Sequence, residues 1–115
     1  MTSNKIVSLD ELATLCRGLK AQGKSAVLCH GTFDLLHAGH IRHLQRAKQE
    51  GDVLMVTVTG DAYVNKGPGR PVFSEQLRAE NIAALACVDY VAVNPAVTAI
   101  ETLFKRLDRS ICERC

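Results

Sequence analysis

Val53-Leu54-Met55-Val56-Thr57-Val58 is an almost unbroken run of apolar, mostly β-branched residues. Gly51-Asp52 precedes it and Gly60-Asp61 follows it. A strand with one wet face would alternate polar and apolar residues, so this run predicts a strand covered on both faces. Ala26-Val27-Leu28-Cys29, closed by Gly31, repeats the pattern, and so does Tyr90-Val91-Ala92-Val93. Between these runs the period changes to that of a helix. Ile41, Leu44 and Ala47 define a helix over about 39–50, and Ile82, Leu85 and Ala86 one over about 75–87, capped by Ser74. Ser8-Leu9-Asp10-Glu11 has the form of a capping box and opens a helix over about 9–22. Thr98 starts a last helix running to about Leu107. Residues 62–73 hold glycine, proline and basic residues and read as loop. Strands alternating with helices predict an α/β layer fold with a parallel sheet and right-handed crossovers.

At 115 residues the chain suits one domain. Apolar residues make up 47% and charged residues 23%, as in soluble globular proteins. A net charge of +2 gives no reason to invoke nucleic acid or an acidic membrane surface. No apolar run has the length of a membrane span, and Met1-Thr2-Ser3-Asn4-Lys5 lacks a signal-peptide core, so the expectation is a cytoplasmic protein. Cys16, Cys29 and Cys87 lie in apolar segments, where a free cysteine acts as a small hydrophobe. Cys112 and Cys115 form a single C-x-x-C, which without a second pair or spaced histidines argues weakly for zinc, and no metal site is expected.

The stretch with chemical content is His30-Gly31-Thr32-Phe33-Asp34-Leu35-Leu36-His37-Ala38-Gly39-His40, which joins the first strand to a helix. Ligands of open α/β sheets sit at the carboxyl ends of strands, and the amides of a following helix attract anions. Gly31 and Gly39 let a phosphate chain approach the backbone. His37 and His40, three apart at a helix start, can face one space. Imidazoles donate hydrogen bonds to phosphate and carry charge near neutral pH. Phosphoryl and nucleotidyl transfer depend mainly on positioning and charge stabilisation. By spacing alone, a capped helix start with two surface histidines fits as well. His30 and His43 receive no site role; His43 reads as an exposed helix residue.

The segment Gly31 to His40 resembles the signature of the cytidylyltransferase-like nucleotidyltransferases, whose mark is H-x-G-H after the first strand. Lys5 to Leu12 and Gly69-Arg70-Pro71 are similar to the adenylyltransferase domain of ADP-heptose synthases. Glycerol-3-phosphate cytidylyltransferases share the signature, so base and acceptor stay open. The resemblance runs over roughly residues 5–107. It implies a Rossmann-like fold, a nucleoside triphosphate with Mg²⁺, a phosphorylated sugar or polyol acceptor, and release of pyrophosphate. It implies that His37 and His40 contact the triphosphate and stabilise charge at the α-phosphate, and that Thr32 and Phe33 line the nucleotide pocket. Lys66 resembles the family's phosphate-binding lysine; a solvated lysine beside a glycine turn is the alternative. Arg78 shares the inward face of Ile82 and Leu85 and stands where the family has a substrate-contacting arginine; an ion pair with Glu75 is the alternative. Asp34, Asp61 and Arg70 are candidates for the acceptor. Asp34 equally serves to tie a turn, and Asp61 to cap the next one.

Residues 1–107 thus read as one nucleotidyltransferase-like domain, and 108–115 as a divergent tail. The family's sheet has five strands; about three are legible here. Lacking a strand beside it, segment 26–30 would be an apolar edge, which predicts a homodimer, capture of a partner, or marginal stability. A nucleotide-binding or interaction module without turnover is the second functional reading.

Overall fold

A computed structural model describes residues 4–64, 68–69, 71–94 and 112–114. The order is α1 (Leu9–Ala21), β1 (Ala26–Gly31), α2 (Ala38–Lys48), β2 (Val53–Thr59), a 3₁₀ turn (Asp61–Tyr63), α3 (Glu75–Ala83), β3 (Tyr90–Asn94) and β4 (Cys112–Arg114). The sheet runs β3-β2-β1-β4, all parallel. The three strands expected from the apolar runs form as read, each within two residues of its expected end.

Strand alternation divides the core in two. Val27 and Cys29 of β1 and Leu54, Val56 and Val58 of β2 face one way, against Leu44 and Ala47 of α2 and Ala79, Ile82 and Ala83 of α3. Ala26, Leu28, Met55 and Ala92 face the other way, against Leu12, Ala13 and Cys16 of α1. Both faces are therefore covered, which is why the strands carry no polar alternation. Each fully buried leucine contributes roughly 1.5–3 kcal/mol.

Local signals fix the helix starts. Ser8 Oγ accepts from the Glu11 amide (3.1 Å), and Glu11 Oε1 accepts from the Ser8 amide (3.2 Å), completing the capping box. Ser74 Oγ accepts from the Leu77 amide (3.2 Å) and caps α3. α3 stops at Ala83, short of 87, because the Leu85 amide bonds back three residues to Ile82 in a tightened last turn. Asp89 Oδ2 accepts from the Leu54 amide (2.7 Å) and from Lys48 Nζ (2.6 Å), pinning the end of α2 to the start of β2.

Two expectations are corrected. β1 is an interior strand: Ala26, Val27 and Leu28 pair with Cys112, Glu113 and Arg114. Parallel pairing uses backbone groups alone, so a segment with none of the composition of a strand can form one. The sheet thus has four strands among the described residues, and the bare edge behind the homodimer expectation is occupied over Ala26–Leu28. Cys29 is disulfide-bonded, whereas Cys16 and Cys87 are not in disulfides. At the opposite edge Lys5–Val7 bridges β3, through Val91 N to Lys5 O and Val7 N to Val91 O, both 2.9 Å. The helix expected from Thr98, and Lys66, Arg70 and Cys115, lie outside the described residues.

Candidate functional site

At the carboxyl end of β1 a cleft of about 490 Å³ opens between the sheet and the start of α2, within the roughly 300–1,000 Å³ of small-molecule sites. His30, His37, His40 and His43 all line it, and the chain has four histidines. Gly31, Thr32, Phe33 and Asp34 line it as well.

His37 is the N-cap of α2. Its Nδ1 accepts from the Gly39 amide (3.0 Å), and its own amide donates to His40 Nδ1 (3.3 Å). This is a capping box built from two imidazoles. Because both Nδ1 atoms accept, each neutral ring carries its proton on Nε2, so both rings are donors at that atom. The rings stack with centroids 3.9 Å apart and planes 26° apart. Glycine at 39 leaves room for the ring in this position: a Cβ there would lie 2.8 Å from His37 Cε1 and would push the imidazole aside. The first turn of α2 holds no acid, so an anion meets only amides and imidazoles there.

Phe33 shapes the other wall. It has φ 50°, the left-handed region that non-glycine residues enter at a cost, of order 1–3 kcal/mol. The turn brings its ring against Gly31, where a Cβ would lie 2.9 Å from Phe33 Cε2, and edge-on to His40 at 5.6 Å.

The turn is held from behind by Arg78, which is fully buried. Its Nη1 donates to Thr32 O (3.0 Å) and Thr59 O (2.6 Å), its Nε to Phe73 O (3.0 Å), and its Nη2 to Asp61 Oδ1 (2.7 Å). Arg78 does not line the cleft; its partners are three carbonyls and one carboxylate of the protein. The ion pair is with Asp61, not Glu75, because Glu75 Oε1 instead accepts from the Asp61 amide (3.0 Å). Asp34, almost fully buried, accepts from the Val72 amide at Oδ2 (2.8 Å) and the Phe73 amide at Oδ1 (2.9 Å). It ties the segment before α3 to the turn after β1.

The structure therefore gathers Gly31, Thr32, Phe33, Asp34, His37 and His40 in one cleft, leaves Gly39 out of its lining but bonded to His37, and sets Arg78 and Asp61 behind it as a brace. Lys66 and Arg70 lie outside the described residues. Sequence reasoning passed over His30 and His43. His43 stands one turn beyond His40, a spacing that places both on one helix face. His30 Nδ1 lies 2.7 Å from Thr57 Oγ1, and desolvation pushes its pKa below the usual value, partly offset by a hydrogen bond with Thr57. Among the described residues no three or more His, Cys, Asp or Glu side chains are placed to hold a metal ion. No helix of the described residues is long and apolar enough to cross a membrane.

The model of the cytidylyltransferase-like family matches residues 28–112. The bifunctional protein HldE of Pelobacter propionicus is 44% identical over 104 residues, covering 89% of this chain and 21% of that protein. HldE of Geobacter metallireducens is 46% identical over 104 residues, covering 86% and 21%. The chain thus spans about a fifth of the length of these curated relatives. Among solved structures, a lipopolysaccharide core biosynthesis protein from Thermoplasma volcanium matches with a TM-score of 0.64 and 32% identity, over 72% of this chain and 68% of that one. The cleft at the end of β1, the imidazole-capped α2 and the family match over 28–112 together place this chain in the cytidylyltransferase-like family.

Proposed function

We propose that the chain transfers a nucleotidyl group from a Mg²⁺-bound nucleoside triphosphate to a phosphorylated sugar or polyol. An oxygen of the acceptor phosphate attacks the α-phosphorus, a new P–O–P linkage forms, and the bond to the β-phosphate breaks. Pyrophosphate is the leaving group; Mg²⁺ bound to the triphosphate would shield its charge.

The observation that carries this reading is the stacked His37–His40 pair at the N-terminus of α2. Both rings donate from Nε2 beside helix amides. Such preorganised donors stabilise charge that grows on the α-phosphate oxygens and the leaving group. Thr32 and Phe33 bound the nucleotide, and Gly31 and Gly39 let its phosphates reach the backbone. Lys66 adds a cation for the phosphates. Arg78 acts on the nucleotide through the Thr32 turn that it braces. Asp34, Asp61 and Arg70 serve the acceptor side, the two aspartates by holding the segments that border it.

Pyrophosphate release tests this. The purified chain, given Mg·ATP or Mg·CTP, is expected to release pyrophosphate only when an acceptor from a panel of sugar 1-phosphates and glycerol 3-phosphate is added. Release that is independent of acceptor, or that persists in the double variant His37→Ala, His40→Ala, counts against it.

A further inference from the structure

His37, His40 and His43 reach the cleft from α2, but His30 reaches it from the sheet. His30 has the strand parity of Ala26 and Leu28, so it leaves β1 on the α1 face. Thr57 is its partner in register on β2 and is fully buried. The 2.7 Å contact between Thr57 Oγ1 and His30 Nδ1 fixes the ring and engages that nitrogen. Nε2 is then the ring atom that serves a ligand in the cleft.

His30 keeps a solvent-exposed face, but partial desolvation of its ring at the end of the strand disfavours the imidazolium. A neutral, fixed imidazole is a poor clamp for phosphate and a good partner for a hydroxyl, since it offers one donor or one acceptor in a set direction. The proposed function puts the triphosphate at the α2 end. One ester oxygen joins the α-phosphate to the nucleotide's sugar, so that sugar must lie beside it in the same cleft.

We propose that His30, oriented by Thr57, hydrogen-bonds a ribose hydroxyl of the nucleotide whose triphosphate rests on His37 and His40. This rests on the proposed function. His30 is a binding residue and Thr57 a positioning residue; neither takes part in bond making.

Calorimetric titration of the full chain tests it, with Mg·ATP and Mg·CTP and with the 2′-deoxy and 3′-deoxy forms of each. His30→Ala is expected to weaken ribonucleotide binding by about 3- to 10-fold, the size of one net hydrogen bond. Wild type should lose a similar factor with one of the two deoxy forms, and His30→Ala should lose nothing further with that form. Thr57→Val should show part of the loss, and Thr57→Ser should restore wild-type affinity. If His30→Ala melts early, His30→Asn replaces it. Its short amide keeps the Thr57 contact without reaching the ligand, so it should bind like the alanine variant. Unchanged ribonucleotide affinity in these variants overturns the inference, as does an equal loss for ribo- and both deoxy-nucleotides. In that case binding lost on His37→Ala leaves the proposed function standing. A folded wild type that binds neither nucleotide overturns both.

Discussion

Arg78 Nη1 donates to the carbonyl of Thr32 across 3.0 Å, joining α3 to the turn that shapes the cleft. The same guanidinium holds Thr59 O, Phe73 O and Asp61. The head of β1, the end of β2 and the approach to α3 are therefore one braced unit. The brace explains how Phe33 is kept at φ 50°.

Arg78→Met should remove the brace while keeping much of the volume. Three carbonyls in part-buried bonds would lose their donor, at about 1–3 kcal/mol for each group left unsatisfied, with water recovering part of it. Urea denaturation should show a loss of roughly 2–4 kcal/mol. A loss below about 1 kcal/mol would show that the turn stands without it.

Gly39→Ala separates stability from function. The new Cβ would lie 2.8 Å from His37 Cε1, and His37 is exposed and can swing away. A helix favours alanine over glycine by up to about 1 kcal/mol, so the melting temperature should hold or rise. Nucleotide affinity should nonetheless fall about 10-fold or more, because the stacked pair is displaced. Equal affinity in the two proteins would contradict the role of the pair.

The strands and the cleft's position were legible in the sequence because both sheet faces are covered, so Val53–Thr59 and Ala26–Cys29 carry their signal in composition. The caps at Ser8 and Ser74 were legible because the bonds they make are local. β4 was not, because Cys112–Arg114 joins the sheet through backbone groups alone. Nor was the partner of Arg78. Glu75 is one turn away in sequence, but its carboxylate is taken by the Asp61 amide, and that places Asp61 under the guanidinium. His30 escaped notice because its meaning depends on Thr57, 27 residues away and adjacent only through strand register. A histidine two residues beyond Leu28 in a run with both faces covered was the available clue.

Asp34→Ala should loosen the segment before α3. It removes two bonds from backbone amides to one carboxylate, at 2.8 and 2.9 Å. The expected cost is about 2–4 kcal/mol, with Asp34→Asn intermediate because it retains one acceptor oxygen. Hydrogen exchange should speed up at the Val72 and Phe73 amides. Unchanged exchange at both would show that the clasp is not what orders them.

His30 gives a pH signature. Its folded-state pKa is lowered from 6.5, so between that lowered value and 6.5 the unfolded chain binds more protons than the folded one. Stability from this residue is complete above the unfolded pKa and falls as pH drops through that window. His30→Asn should therefore flatten the dependence of the urea midpoint on pH below 6.5. A variant as acid-sensitive as wild type below 6.5 would place the effect elsewhere.

The most direct measurement is calorimetric titration of Mg·ATP and Mg·CTP into wild type and into His37→Ala, His40→Ala. Saturable heat with one nucleotide in wild type, lost in the double variant while its melting curve holds, is the expected result. Equal binding in both proteins, or no heat from a folded wild type, would contradict the assignment of the imidazole pair to the triphosphate.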